Sequence, residues 1–462
     1  MLPLSLIKAF SSRFWLTGDI LLLCFVTNSP TQAQIVPDAT LPVNSTVTPI
    51  GNTNTIEGKT TAGGNLFHSF REFSIPTGAE AFFNNAVDIQ NIFTRVTGGN
   101  ISHIDGLILA NGTANLFLLN PNGIIFGPNA RLNIGGSFFG STASSIRFAD
   151  GTFFSATAAQ TTPLLTINVP IGLQYGSRAG TVEVQGSNLQ VQPGRTLALF
   201  GGNVSLSNGI LLAPGGRVEL GGVASEGTVG LGINGNIGNL SFPDGIGRAD
   251  VSLSNGSRVN VRAGGGGSMA INASKLDILQ KSGLQAGIAS ELGSIDSRAG
   301  NIEINATGVV AIANDSFIIN SVQSGGIGDA GGIEISTGSL AIARGARLSA
   351  STFGQGDAGT VKITASDTVS FDAGNAFSRV EKGAVGKGGG IKITTNSLLV
   401  TGGARLSAST FGQGLSSRPK ASLAHSSPIL LPQRATSPPL GQILSSAAPC
   451  KSILPMLTPV PV

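Results

Sequence analysis

Three histidines and a scatter of carboxylates are the side chains in this 462-residue sequence with the best claim to chemistry. His103 and Asp105, in the segment SHIDG, stand two residues apart, which on a strand places both on one face, as an acid–base pair would require. No nucleophile lies near them, so a structural role is expected for the pair. His68 lies in an apolar segment and His425 near the C-terminus, and HExxH, CxxC, GxSxG and phosphate-loop patterns are absent. A glycosidase would need two carboxylates about 5 to 10 Å apart across a cleft. The acids Glu183, Glu219, Asp250, Asp277, Glu303, Glu334 and Asp367 instead take single positions in alternating segments, the pattern of a solvated strand face. The run Gly264 to Gly267 precedes no Lys-Ser/Thr pair and reads as a turn. The glycine-rich calcium nonapeptide is missing too. No catalytic residue, metal or cofactor is assigned.

The elements that must carry these side chains are short strands. Glycine numbers 66 and charged residues make up 11%, where a globular domain has about a quarter charged. Without a three-residue glycine period collagen is excluded, and hydrophobicity is too high for disorder. Phenylalanine outnumbers tyrosine 23 to 1, which points to stacked rings where a hydroxyl would find no partner. Lysine and arginine are scattered and the formal charge is only +4, so no footprint for nucleic acid is expected. Cys24 and Cys450 lie near opposite ends, leaving packing and backbone ladders to supply stability.

Repetition indicates how the strands are assembled. Runs such as TVEV, LQVQ and VSLS alternate apolar and polar residues with period two. VSLSNG occurs at residues 204–209 and 251–256, and ARLSASTFGQG occurs at 346–356 and, unchanged, 58 residues later at 404–414. The signals AGNIEI, AGGIEI, AGTVKI and GGGIKI follow one another at steps of 31, 28 and 30 residues. About three strands per near-constant step predicts an all-β, right-handed parallel β-helix, with buried Ile, Val, Leu and Phe inside and Ser, Thr and Asn ladders outside. Its rod would be roughly 60 to 90 Å long at the spacing of stacked strands.

One stretch, residues 115–148, carries two turn signals, Asn120-Pro121-Asn122-Gly123 and Gly127-Pro128-Asn129-Ala130, between apolar runs. Each reverses or bends the chain between strands, with Phe and Ile expected to point inward. LFLLNPNGIIFGPNA followed by LNIGGSFFGSTA resembles the haemagglutination-activity, or two-partner secretion, domain of filamentous-haemagglutinin-type exoproteins. The preceding NLFHSFREFSIPTGAEAFF and RVTGGNISHIDGLILANGTANLF follow the same order of motifs. An upstream NPNL turn found in many family members is not present. The resemblance implies export through an outer-membrane β-barrel transporter with periplasmic domains, and assigns secretion competence to Asn120, Pro121, Asn122, Gly123 and Ile124. Bottom-up, the same residues shape a turn.

The resulting organisation is a signal peptide over residues 1–33, a secretion β-helix domain over 34–300 whose first strands cap the solenoid, and repeats of about 28 to 31 residues over 301–414. Residues 415–462 hold nine of the 22 prolines, one glycine and no acid, and are expected to be a disordered tail in which the repeat array is interrupted. The expected protein is secreted through the periplasm and outer membrane, is not an integral membrane protein, and acts as an adhesin-like rod with a surface or carbohydrate ligand. The alternatives are a β-helix polysaccharide-active enzyme and a truncated remnant of a larger exoprotein.

Overall fold

The computed structural model describes residues 34–158, 166–234, 237–414 and 420–425, so the expected signal peptide and most of the expected tail lie outside the described residues. Among the described residues there is no helix. The chain winds as a parallel β-helix whose main sheet runs from Asn65–Phe73 through Asn91–Val96, Asn115–Leu119, Phe138–Ser141, Thr196–Gly201, Arg217–Gly222 and Ser268–Ala273. It continues through Ile302–Ala306, Ile333–Thr337, Val361–Ala365 and Gly390–Thr395 to Lys420–His425. A second face is a 10-stranded sheet from Ser102–Ile104 to Ser397–Thr401. The third is a 5-stranded sheet near the N-terminus followed by an 8-stranded sheet ending in Arg405–Thr410.

Register explains the core. On the main sheet Leu66, Ile92, Leu116, Phe138, Leu197 and Val218 stand in one column pointing into the spiral, and the column continues through Met269, Ile302, Ile333, Val361 and Ile391. The second face matches it with Ile124, Val182, Val204, Val251 and Leu276. Parallel in-register stacking places like side chains one strand spacing apart, so each coil both completes the burial of its predecessor and leaves an apolar face for its successor.

Two corners account for the repeat signals. At the start of each main-sheet strand in the later coils, a Cβ on Gly331 would lie 2.0 Å from the Gly300 carbonyl oxygen, and Gly359 and Gly389 each meet the preceding coil's glycine in the same way. Only glycine lets the backbones stack this closely, which is why AG and GG recur at that place. The corner between the second and third faces turns through left-handed residues: Asn208, Asn255, Gln280, Asn314, Arg344 and Ala373 all have φ between 51° and 58°. A flanking column of aspartates seals the first corner, with Asp329 Oδ1 accepting from the Asp357 N–H at 2.9 Å and Asp357 Oδ1 from the Lys387 N–H at 2.7 Å.

The structure departs from the expected rod in three ways. First, Ser145–Phe148, Phe153–Ser155, Pro170–Tyr175, Gly227–Asn234 and Ile237–Ser241 leave the spiral and form an antiparallel sheet. It covers the outer face of the main sheet and creates a second core. Phe67, Phe93, Phe117 and Phe139, the last two expected to point inward, form an outward column inside that second core, with centroids 5.3, 4.8 and 4.4 Å apart. Phe148 and Phe154 close over Phe67. The only tyrosine, Tyr175, lies here too, its hydroxyl 2.9 Å from Ser141 Oγ. Second, twelve parallel strands of the main sheet span only about 50 Å, because residues spent on the outer sheet add no coils. Third, Lys420–His425 pairs in parallel with Gly390–Thr395, so a strand lies within the stretch expected to be disordered. The expected N-terminal cap is present: Ile35–Pro37 runs antiparallel to Asn65–Phe73, and Thr46–Ile50 pairs antiparallel with Thr53–Glu57.

Candidate functional site

The Asn120–Ile124 turn is a corner between the main sheet and the second face. Asn120 is fully buried, and its side-chain amide donates to the Asn100 carbonyl and to Ser102 Oγ, both at 2.9 Å, in the preceding coil. Its Oδ1 accepts from the Asn122 backbone N–H at 3.0 Å, which closes the turn on itself. Asn122, exposed, donates to the Gly98 carbonyl at 2.7 Å. The following coil reaches back: the Gly180 N–H donates to the Pro121 carbonyl at 2.9 Å, and a Cβ on Gly180 would lie 2.3 Å from the Asn122 carbonyl carbon. Gly123, at φ 136°, occupies a region closed to other residues. Ile124 is buried in the central column. The five residues thus tie three successive coils together, and only the Pro121–Asn122 edge meets solvent.

Asp105 braces the second turn signal. Its carboxylate accepts from the Asn129 backbone N–H at 2.8 Å and side-chain amide at 3.1 Å, and from the Thr77 hydroxyl. His103 is exposed on the outer side of its strand, beside Ile125 of the next coil. The structure therefore brings Asp105 to a turn-capping role. His68 is buried between Phe70 and Phe83, with Nδ1 3.0 Å from Ser45 Oγ, and burial depresses its imidazole to about 3, so it stays neutral.

Where the outer sheet meets the N-terminal cap, a buried arginine and a half-buried aspartate form a charged cluster that the sequence pattern did not reveal. Arg95, 1% exposed, donates from Nε to Ser69 Oγ at 2.8 Å and from its terminal nitrogens to the Ser155 carbonyl at 2.6 Å and Thr40 Oγ1 at 2.9 Å. Its guanidinium also stacks 4.5 Å from the Phe154 ring centre. Burial pulls it down to about 10, with Asp38 working in the opposite direction, so it remains charged at neutral pH. Burial also opposes ionisation of Asp38, but the hydroxyls of Thr40, Thr97 and Ser69 outweigh it and hold the carboxyl below its ordinary range. One signal was available: NIFTRV is an arginine inside an apolar run without alternation, and all six positions are buried.

The carboxylates are spread over several columns. Glu303 and Glu334 are successive members of the main sheet's outer column, followed by Lys362, whose ammonium is 3.4 Å from Glu334, and then Lys392. Glu183, Asp277 and Asp367 lie on or beside the second face, Asp277 bridged to Lys275 at 2.7 Å. Glu219 differs from the solvated position expected for it. It is fully buried under the outer sheet, paired with Arg217 at 2.5 Å, and its second oxygen has no partner among the described residues. Burial pushes its carboxyl up to about 7; Arg217 and a Leu240 backbone contact pull it down, and Glu303 adds to the rise.

A pH dependence follows. Folded protein holds the Glu219 proton to higher pH than unfolded chain, so its stabilising contribution is full below about 4.5, is lost as pH rises through about 7 and is gone above that. The full effect is about 3 kcal/mol. Glu219→Gln is expected to remove this slope, read from denaturation midpoints at pH 5 and pH 8; an unchanged difference between the two pH values would show that the carboxyl is not responsible.

The TPS secretion domain profile matches residues 33–273, which includes the cap, the Asn120 corner, the Arg95 cluster and the whole outer sheet. The heme/hemopexin-binding protein of Haemophilus influenzae is 39% identical over 92 residues, 20% of this chain and 10% of that protein, so the chain spans about a tenth of that curated relative. Among solved structures, the HMW1 secretion domain from Haemophilus influenzae superposes with a TM-score of 0.46 at 17% identity, over 84% of this chain and 98% of that one. The filamentous hemagglutinin secretion domain does so at 0.29 and 15%, over 84% and 99%. With a matched segment that takes in just over half of its length, the chain belongs to the TPS secretion domain family.

Proposed function

We propose that this chain is a surface-directed exoprotein whose coils from residue 34 to about residue 300 form the signal read by an outer-membrane β-barrel transporter with periplasmic domains. The observation that carries this reading is the family match over residues 33–273, which falls on a capped, continuous ladder. In this reading residues 1–33 direct the chain into the periplasm, and the chain folds as it emerges. No nucleotide energy source is available outside the cell, and sequential burial supplies a substitute: each completed coil exposes a paired edge and an apolar face to the next, favouring forward movement. The exported product is an adhesin-like rod. A non-catalytic role is supported by the capping function of Asp105, the pairing of Glu334 with Lys362 and the burial of Glu219.

Asn120, Pro121, Asn122, Gly123 and Ile124 are assigned to secretion competence through the Pro121–Asn122 edge that the corner presents. Two variants separate recognition from folding. Asn120→Ala deletes buried hydrogen bonds between coils and is expected to cost about 1 to 3 kcal/mol and to lower secreted yield. Asn122→Ala removes an exposed amide at about 1 kcal/mol or less, yet is expected to reduce secretion at least tenfold in cells expressing the cognate transporter. Normal secretion of Asn122→Ala would leave the motif with its corner role alone.

A further inference from the structure

The segment at residues 346–356 recurs unchanged at 404–414, a closer identity than coil geometry alone demands. Its two copies are two coils apart, and equivalent positions fall in one column: the Glu381 N–H donates to the Thr352 carbonyl, and the Phe411 N–H to the Val380 carbonyl. Phe353, Glu381 and Phe411 are therefore successive members of one track, with the two rings about 9.6 Å apart along the axis. Phe353 is 45% exposed and Phe411 61%. Phe353 lies between completed coils, so exposure belongs to the position and not to the end of the array. Two residues on, Gln355, Val385 and Gln413 form a parallel track joined by backbone bridges, and both glutamines are exposed. Glu381, between the rings, faces Arg379 at 4.0 Å, whose guanidinium lies 3.7 Å from the Phe377 ring centre and 5.9 Å from that of Phe411.

Isolated exposed apolar side chains are ordinary. An aromatic ring with an amide two residues on, present in two identical copies two coils apart on one side of the solenoid, is a different arrangement. Aromatic rings stack on the C–H faces of sugars, and glutamine both donates to and accepts from hydroxyls. A flat β-1,4-linked glucan ribbon repeats every second sugar, at a length of the order of two coils, whereas an α-1,4-linked chain coils away from such a track.

We propose that Phe353, Gln355, Phe411 and Gln413 form a binding track for an extended β-1,4-linked polysaccharide lying parallel to the coil axis, one disaccharide per pair of coils. The proposal deepens the adhesin-like reading and rests on it, while being independent of export: it is measured by binding to purified chain, and export by secreted yield, so either can fail alone.

The test is calorimetric titration of the purified chain with cellohexaose, cellobiose and maltohexaose. Cellohexaose is expected to bind, cellobiose at least tenfold more weakly because it reaches one ring only, and maltohexaose at least tenfold more weakly because its shape does not fit. The double variant Phe353→Ala/Phe411→Ala is expected to weaken cellohexaose at least tenfold with an unchanged far-ultraviolet spectrum. Gln355→Ala/Gln413→Ala, which leaves the rings in place, is expected to weaken it severalfold. Absence of cellohexaose binding, equal affinity for maltohexaose or cellobiose, or unchanged affinity in the folded double phenylalanine variant would each overturn the proposal.

Discussion

Phe117→Ala is expected to cost about 3 to 5 kcal/mol, the range for truncating a fully buried aromatic ring. Phe117 lies flat against Phe139, with centroids 4.4 Å apart and planes 4° from parallel, and 4.8 Å from Phe93 on its other side. The neighbours are held by parallel backbone pairing and cannot close the gap, so both the transfer term and the cavity term apply. The loss should appear first as detachment of the outer sheet, whose own strands have the aromatic column as their floor. Hydrogen exchange should accelerate in Ser145–Phe148 and Pro170–Tyr175 before it does in Ile333–Thr337. Phe353→Ala, at an exposed position, is the control, expected within about 0.5 kcal/mol. A loss below 1 kcal/mol for Phe117→Ala would mean that the outer sheet is not held by this column.

Arg95→Met is expected to be of similar size, about 3 to 5 kcal/mol, by the opposite mechanism. The thioether fills much of the space but donates nothing. The Ser155 carbonyl and Thr40 hydroxyl then lose their donor, and the Asp38 carboxylate loses the charge that opposes it. Because Arg95 joins the N-terminal cap to the outer sheet, residues 38–40 and 153–155 should lose protection together. Arg95→Lys is not expected to rescue, since one ammonium cannot span acceptors that a planar fork reaches in different directions. Loss of protection at the cap alone would contradict the bridging role. Fraying at the cap also exposes the first ladder edge, so this variant should aggregate more readily than Phe117→Ala at matched stability.

The later coils were readable because their sequence obeys one rule at a time. Ile333–Thr337 and Val361–Ala365 have one buried and one wet face, so period-two alternation reports them directly, and stacked glycines at the corner mark each return. The early coils obey two rules at once. Asn91–Val96 and Thr196–Gly201 are buried on both faces, one by the spiral and one by the outer sheet, so alternation disappears and direction cannot be assigned to Phe117 or Phe139. The corner role of Asn120 and its neighbours was legible as a turn. Its hold on three coils was not, since Gly98, Asn100 and Gly180 are distant in sequence.

Local periodicity and near-constant repeat steps, which depend only on residue type and spacing, determined that the chain is all-β, coiled and stacked in parallel, and the order of motifs determined its family. Tertiary structure decided the rest. Whether an apolar ring points into the spiral or out beneath a second sheet, whether Glu219 is wet or buried, and which acid meets which cation all depend on segments that pack from far along the chain. Burial and charge pairing are properties of three-dimensional neighbours, and a strand's own sequence specifies its two faces without naming what covers them.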